Sequence, residues 1–256
     1  MLWRVLQSNG GLPDEAIVCF ANTGKEEPAT IDFVNACAVN WNVPISWIEY
    51  RNNEQGYEVV FYENASRNGE PFEEIIRKRP MLPNPVARFC TVELKIRPMS
   101  KFLFDRGFEG TRSDLENFSM IGIRADEPRR AAKITDKSRI PLVSAGVTKE
   151  MVGAFWINQC FDLRLPNNKG VTMHGNCDLC FLKPAAQILS LITEEPKRAV
   201  WWISMEGIAS ARAETQKDAG VFRKDRPSYA AMLKFSQEQR NIFDENEEGI
   251  ACFCGD

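Results

Sequence analysis

The first half of the chain alternates short apolar runs with a helical pattern. Residues 16–21 form a continuous apolar run of strand length, which is typical of a buried parallel strand. A polar loop at 22–28 leads into a segment (31–41) whose apolar residues recur about every 3.6 positions, and a second apolar run follows at 45–50. This order predicts a βαβ unit, with a further strand at 57–61 beside it.

A third buried strand is predicted at 118–124, and the pattern becomes helical after Pro141. The predicted fold is therefore α/β: a Rossmann-like, doubly wound, mostly parallel sheet with a helical, cysteine-containing C-terminal region. The predicted division is an α/β core at 1–145 and the helical region at 146–256. Helices are predicted at 2–8, 98–105, 148–159, 183–193, 197–216 and 228–239.

The composition is compatible with a soluble globular protein and argues against several other classes. The chain has 256 residues, 44% hydrophobic and 26% charged, with a net charge of -3, which is ordinary for a soluble globular protein. A pI near 5.5 argues against a general nucleic-acid-binding surface, although a local basic cleft is compatible with it. No run of about 18 apolar residues predicts a membrane span, and the N-terminus does not resemble a signal peptide. We therefore expect a cytoplasmic protein.

Eight cysteines in a reducing compartment are better interpreted as core residues, metal ligands or redox thiols than as disulfides. Cys90 lies among basic residues, which favour its thiolate. Cys177 and Cys180 form a CxxC, which indicates zinc, an iron–sulfur cluster or thiol redox chemistry. One CxxC falls short of four ligands, so Cys90 and Cys160 are the further candidates. A reduced CxxC without metal is the alternative. Cys252 and Cys254, in the acidic tail, are either a mobile redox pair or without a role.

Two loops that follow apolar runs carry the other candidates, because ligands bind at the carboxyl ends of strands in doubly wound sheets. The first offers a hydroxyl, a flexible glycine, a cation and a carboxylate, and its alternative is an ordinary turn. The second has three arginines that could hold phosphate or sulfate by bidentate contacts, and its alternative is a solvated charged turn. The residues are Asn22, Thr23, Gly24, Lys25 and Glu26 in the first loop, and Arg124, Arg129 and Arg130 in the second.

Four stretches together resemble the phosphoadenosine phosphosulfate (PAPS) reductase family, within the adenine-nucleotide α-hydrolase-like superfamily, and its phage-type members in particular. They are Phe20-Ala-Asn-Thr-Gly-Lys-Glu26, Phe89-Cys-Thr-Val-Glu-Leu-Lys-Ile-Arg-Pro98, Ile121-Gly-Ile-Arg-Ala-Asp-Glu-Pro-Arg-Arg130 and Gly175-Asn-Cys-Asp-Leu-Cys-Phe-Leu-Lys183. The likeness extends over most of the chain.

The resemblance implies a site for an adenine nucleotide (PAPS, adenosine phosphosulfate or ATP), with Thr23 to Glu26 at its edge. It implies that Lys95, Arg124 and Arg129 hold the phosphate or sulfate end, and that Cys90, Lys95 and Arg124 are catalytic. In members with clusters, cysteines matching Cys90, Cys177 and Cys180 ligate a [4Fe–4S] centre, and zinc is the alternative metal. Three protein ligands leave one iron open, which resembles sulfur-transfer enzymes that thiolate tRNA.

Two departures from the family pattern qualify this expectation. Family members begin with a strand and a Ser-Gly-Gly loop that cradles phosphates, whereas this sequence starts inside the following helix. The Glu-Cys-Gly-x-His motif that carries the catalytic cysteine of true PAPS reductases is also missing. We therefore expect an oxidoreductase or sulfur transferase with impaired activity. Its expected partner is a thiol reductant protein or tRNA. A nucleotide-binding or metal-stabilised module without catalysis is the competing hypothesis.

Overall fold

The computed structural model describes residues 1–166, 172–175, 177–212 and 220–246, with side chains to residue 238. Its strands are β1 (Val18–Asn22), β2 (Ile45–Glu49) and β3 (Glu58–Val60). Its helices are α1 (Leu2–Asn9), α2 (Pro28–Asn40), α3 (Glu70–Lys78), α4 (Phe89–Thr91), α5 (Arg97–Asp105), α6 (Arg112–Phe118), α7 (Pro128–Ala131), α8 (Pro141–Ser144), α9 (Lys149–Ile157), α10 (Ala185–Glu194), α11 (Ala199–Arg212) and α12 (Tyr229–Asn246). A π-helical stretch, Val92–Ile96, joins α4 to α5, and 3₁₀ turns lie at Lys137–Arg139 and Pro196–Arg198.

The sheet of the described residues has the order β1-β2-β3. The β1 strand pairs with β2 in parallel, from Val18 opposite Ile45 to Asn22 opposite Glu49. The β3 strand pairs with β2 in the antiparallel direction, with Trp47 opposite Val60. The predicted β1–α2–β2 unit and the pairing of residues 57–61 beside it are thus confirmed. Because β1 and β2 are parallel, their carboxyl ends meet at one edge, where polar residues follow both strands.

Helices cover both faces of this small sheet because successive strand residues point to opposite sides. On one face, α2 contributes Ile31 to a core with Trp47 and Val60, which are 2–4% exposed. On the other face, α5 contributes Phe102 to a core with Ile48. Phe102 is 1% and Ile48 0% exposed. The buried apolar positions of β1 and β2 therefore fix the sheet between two helices, and they hold its polar carboxyl edge in place.

The predicted doubly wound, mostly parallel Rossmann-like sheet is wrong. The structure is about 49% helix with a three-stranded mixed sheet. The predicted third strand at 118–124 begins with the last residue of α6, and the rest of that run is irregular. Ile121 donates its N–H to Arg139 O (2.7 Å) and Ala125 donates to Val147 O (2.9 Å), so single loop hydrogen bonds replace a ladder.

A physical reason for this error lies in where the apolar side chains go. Ile121 and Ile123 pack against Ala131 and Ile140 in a separate cluster. Phe118, by contrast, is 78% exposed. A short apolar run can be buried in an irregular segment under a helical turn as well as in a strand. The periodicity of so short a run does not distinguish a strand from an irregular segment.

The chain divides into two compact units, and the predicted division at 145/146 stays a prediction. The first unit contains the described residues of 1–75 and 89–178, and the second contains the described residues of 76–88 and 179–256. The predicted helices correspond to α1, α5, α9, α10, α11 and α12, apart from residues 213–216, which lie outside the described residues. Cys252 and Cys254 also lie outside them.

The second unit has its own aromatic core. Trp202 and Phe222 are fully buried, and Tyr229 is 1% exposed. Their rings lie 5.0–5.7 Å apart, with Trp202 stacked on Tyr229. Glu206 is buried among them and accepts the backbone N–H groups of Phe222 (3.3 Å) and Tyr229 (3.0 Å). Burial raises the pKa of this carboxyl above its ordinary value. No helix within the described part of the chain has the length and apolarity needed to cross a membrane.

Candidate functional site

The loop after β1 is shaped by its own side chains. Asn22 Oδ1 accepts the N–H of Gly24 at 3.0 Å, and Thr23 Oγ1 accepts the N–H of Lys25 at 3.3 Å. These local bonds are the ones that Asn and Thr form in turns. Gly24 has φ +74°, a conformation that favours glycine, and a Cβ there would lie 2.8 Å from Pro71 Cδ. Backbone conformation and close packing both require a glycine at position 24.

A buried carboxylate anchors this loop to the end of β2. Glu49 is completely buried, and its Oε1 accepts hydrogen bonds from Asn22 Nδ2 (2.6 Å) and the Ser66 N–H (2.7 Å). Its Oε2 accepts hydrogen bonds from Ser66 Oγ (2.6 Å) and Arg51 Nη2 (2.7 Å). Four donors at one carboxylate satisfy a charge that would otherwise be costly to bury. The carboxyl ends of β1 and β2 are thereby tied together.

A distant segment of the first unit pairs with this loop and brings in the first cysteine of the CxxC. Glu26 and Cys177 form an isolated antiparallel β-bridge. Asp178 donates its backbone N–H to Lys25 O at 2.6 Å, and its side chain forms a buried ion pair with Lys25 Nζ at 3.6 Å. The candidate nucleotide loop and one candidate metal ligand therefore belong to the same site.

Glu26 is the centre of the site. Its side chain is 4% exposed, and its Oε1 accepts hydrogen bonds from Thr23 Oγ1 (3.1 Å) and Lys95 Nζ (3.1 Å). Cys177 Sγ lies 3.8 Å from the same oxygen and 3.8 Å from Thr23 Oγ1. A thiol, a hydroxyl, an ammonium and a carboxylate thus converge within hydrogen-bond reach. We call Thr23, Glu26, Lys95 and Cys177 the thiol site.

Lys95 reaches this site from the π-helical stretch. Arg97 donates its N–H to Val92 O, the i to i+5 bond that defines such a stretch, and π-helical turns occur frequently at functional sites. Burial alone would lower the pKa of Lys95, but negative charge at Glu26, Cys177 and Cys90 outweighs it and raises this pKa above its ordinary value. Lys95 is therefore a persistent cation beside two cysteines.

Two further buried carboxylates of the first unit lie next to basic side chains. His174 Nδ1 is 3.8 Å from Glu27 Oε2, and both side chains are less than one-tenth exposed. Glu93, buried on the π-helical stretch, accepts a hydrogen bond from Arg97 Nη1 at 2.6 Å. The single histidine is therefore a buried partner of the loop that precedes α2.

The three arginines of the 124–130 turn lie among carboxylates of their own segment. Arg124 Nε donates to Asp126 Oδ1 at 2.8 Å, and its Nη1 is 3.6 Å from Glu127 Oε2. Arg130 forms a short ion pair with Glu127, while Arg129 is exposed. An anion that binds Arg124 would have to displace the Asp126 carboxylate or share the Arg124 guanidinium with it.

The predicted metal ligands are distributed over several places. Cys90, on α4, lies near enough to Lys95 for its charge to act on it, and Cys177 is in the thiol site. Cys180 belongs to the second unit, where its charge acts on Arg226. Cys160 donates to Asn40 Oδ1 at the far end of α2, about 20 Å along that helix from the thiol site. Within the described residues, no group of three Cys, His, Asp or Glu side chains is arranged to hold a metal ion.

Glu49 and Asp178 are structural partners of the site that the sequence analysis did not select. Glu49 ends an apolar strand, and the rule that ligands and polar groups gather at carboxyl ends of strands could have singled it out. Asp178 stands inside the CxxC, but its pairing with Lys25 depends on a contact between segments about 150 residues apart. No local sequence signal indicates that contact.

The chain thus combines a small mixed sheet, flanked by helices, with a buried polar site that contains a thiol. No family model matches the sequence, and no solved structure matches it significantly. It is similar to the uncharacterized nin region protein ORF290 of Escherichia phage lambda, with 28% identity over 249 residues that cover 93% of this chain and 81% of that protein. The name of this relative assigns no activity.

Proposed function

We propose that the protein is a thiol-dependent enzyme of sulfur chemistry that acts on an adenine nucleotide, as a sulfonucleotide reductase or sulfur transferase. The observation that carries this proposal is the convergence of Cys177, Lys95 and Thr23 on Glu26. A thiol beside a persistent cation is the arrangement that nucleophilic cysteines use. The inference that the substrate is an adenine nucleotide comes from the resemblance of the surrounding segments to PAPS reductases.

In the reductive reaction, a thiolate of the site attacks the sulfonyl sulfur of the nucleotide. The new S–S bond forms as the S–O bond to phosphate breaks, and the nucleotide leaves with the electron pair as a phosphate. In this proposal Lys95 stabilises the negative charge that develops there. A dithiol reductant protein then attacks the cysteine sulfur and releases sulfite. Its second thiol restores the cysteine as the reductant becomes a disulfide.

Arg124 and Arg129 are the proposed contacts for the leaving phosphate, with Arg124 exchanging its Asp126 partner for the anion. No step uses a metal, because the described residues do not supply three ligands to one ion. The [4Fe–4S] or zinc centre stays a prediction from the resemblance. Iron, zinc and acid-labile sulfide analysis of anaerobically purified protein, compared with Cys177→Ala, tests it separately.

The activity test measures sulfite release from PAPS and from adenosine phosphosulfate in the presence of a reduced dithiol protein. Cys177→Ala and Lys95→Met are expected to abolish release, while Cys160→Ala, which removes an exposed thiol outside the thiol site, leaves it unchanged. Calorimetric titration with ATP and adenosine monophosphate measures nucleotide binding in the same proteins. Binding without release in the wild type would favour the non-catalytic module, and absence of both would overturn the proposal.

A further inference from the structure

A second feature of the first unit is a strongly basic segment in an acidic protein. Residues 128–140 contain five Lys or Arg and one Asp, although the whole chain has a net charge of -3. The cations on which the argument depends are Arg129, Lys133, Lys137 and Arg139, which we call the basic platform. Arg129, Lys133 and Lys137 are exposed, and Arg139 is half-buried.

The charge of the basic platform is not neutralised by the segment's own acids. Two nearby carboxylates, Asp126 and Glu127, pair with Arg124 and Arg130, outside the platform. Asp136 accepts the N–H and the hydroxyl of Ser138 and keeps its negative charge, which acts on Arg139. Within residues 128–140 the four platform cations therefore face one carboxylate, and the platform keeps a net positive charge.

Two platform cations are positioned by backbone carbonyls, which orient a cation without cancelling its charge. Lys137 Nζ donates to Ile134 O (2.7 Å) and Ala131 O (3.0 Å). Arg139 Nε donates to Ser119 O at 3.2 Å. The backbone beneath them is fixed by the buried cluster that contains Ala131 and Ile140. Lys137 and Arg139 are therefore pre-positioned positive charges on a packed support.

Exposed apolar side chains flank this platform. Phe118 is 78% exposed and Met120 is 56% exposed, on either side of the Ser119 carbonyl that Arg139 contacts. Phe118 touches Phe108 edge-on, with ring centroids 5.9 Å apart. Cations that contact phosphates, next to an exposed aromatic face on which a base can stack, are the two parts of a single-strand nucleic-acid site.

We propose that the basic platform and Phe118 bind single-stranded nucleic acid, with the phosphodiester backbone on the cations and a base stacked on Phe118. An anionic membrane is the less favoured partner, since surface-bound segments present an extended amphipathic helix, whereas this segment contains the four-residue α7 and a 3₁₀ turn. Arg129 is shared with the proposed contact for the leaving phosphate, so this proposal is tested by oligonucleotide binding alone, without the nucleotide substrate or turnover.

The experiment measures fluorescence anisotropy of labelled single-stranded DNA and RNA of roughly 20 nucleotides at several salt concentrations. With four cations on phosphates, log K should fall with log salt at a slope of about -3. Arg129→Gln with Lys133→Gln removes two exposed charges and should reduce the slope by about 1.4. Phe118→Ala should weaken binding about tenfold and leave the slope unchanged.

The matched control is Arg112→Gln with Lys234→Gln, which removes the same net charge from exposed cations outside the platform. Equal weakening by control and platform variants would overturn the proposal, as would no binding at about 50 mM salt. Binding of phosphatidylserine vesicles but not of oligonucleotides would assign the surface to membranes instead. Equal affinity for duplex would overturn the stacking of a base on Phe118. Preference for DNA or RNA among single strands identifies the natural ligand.

Discussion

The buried carboxylate of Glu49 gives the sharpest stability prediction. Glu49→Gln keeps the shape of the side chain but replaces one carboxylate oxygen by an NH₂ group. In either orientation of the amide, that group meets two donors: Asn22 Nδ2 and the Ser66 N–H, or Ser66 Oγ and Arg51 Nη2. Two hydrogen bonds to a charged acceptor are lost, each worth about 1.5–3 kcal/mol. We expect the free energy of unfolding to fall by about 3 kcal/mol, because the Ser66 hydroxyl and the partly exposed Arg51 can recover part of the loss.

The matched control is Glu58→Gln, which also removes one negative charge next to Arg51. Glu58 Oε2 accepts from Arg51 Nε at 2.7 Å, but its side chain is 52% exposed, so its loss should cost less than about 1 kcal/mol. Urea unfolding followed by tryptophan fluorescence measures both variants, and the Glu49 variant should also melt roughly 6–12 °C lower. A loss below about 1 kcal/mol for Glu49→Gln, or equal losses for the two variants, would refute the reasoning that four buried donors depend on this carboxylate.

Three further changes test other parts of the structure by thermal and urea unfolding. Gly24→Ala should lower the free energy of unfolding by more than the roughly 1–2 kcal/mol that a left-handed backbone costs. Its control is Gly107→Ala, where φ is also positive but no atom lies within 4 Å of the added Cβ, so the loss should be smaller. Equal losses for the two variants would contradict the close contact at Gly24. Glu206→Gln should gain stability relative to wild type as pH rises above about 4.5, because the raised folded-state pKa makes the wild type lose stability in that direction; a difference that does not change with pH would speak against it. Tyr229→Phe removes the 2.6 Å hydrogen bond to Leu179 O and should cost about 1 kcal/mol, whereas no change in unfolding free energy would mean that this carbonyl finds another donor.

Local sequence patterns were sufficient for the elements whose burial is local. The apolar run at 16–21 and the helical periodicity after it predicted β1, α2 and β2, because strand and helix periods differ clearly over that length. The run at 118–124 has no such discriminating length. A start signal for the preceding helix was present, since Thr111 and Asp114 form a capping box. Giving that signal more weight would have placed Phe118 at the end of a helix.

The site was predicted in parts but not as a whole. The Thr23–Glu26 loop was selected for nucleotide binding and Cys177 for metal binding, as two separate sites. The structure joins them through the β-bridge between Glu26 and Cys177, which are 151 residues apart. Pairing of an irregular segment with a loop depends on the assembled fold, and no periodicity of either segment encodes it. The position of Lys95 at the same carboxylate is another consequence of that assembly.

The π-helical stretch at Val92–Ile96 makes the thiol site sensitive to chain length as well as to side-chain identity. The stretch accommodates one residue more per turn than a regular helix, and each residue turns an α-helix by about 100°. The part after it is held by Phe102, which is buried against the sheet. Deleting one residue between Cys90 and Lys95 would leave a regular helix yet turn Cys90 about 100° around the axis relative to Lys95. A single-residue deletion here should therefore separate Cys90 from Lys95 even though it removes neither side chain.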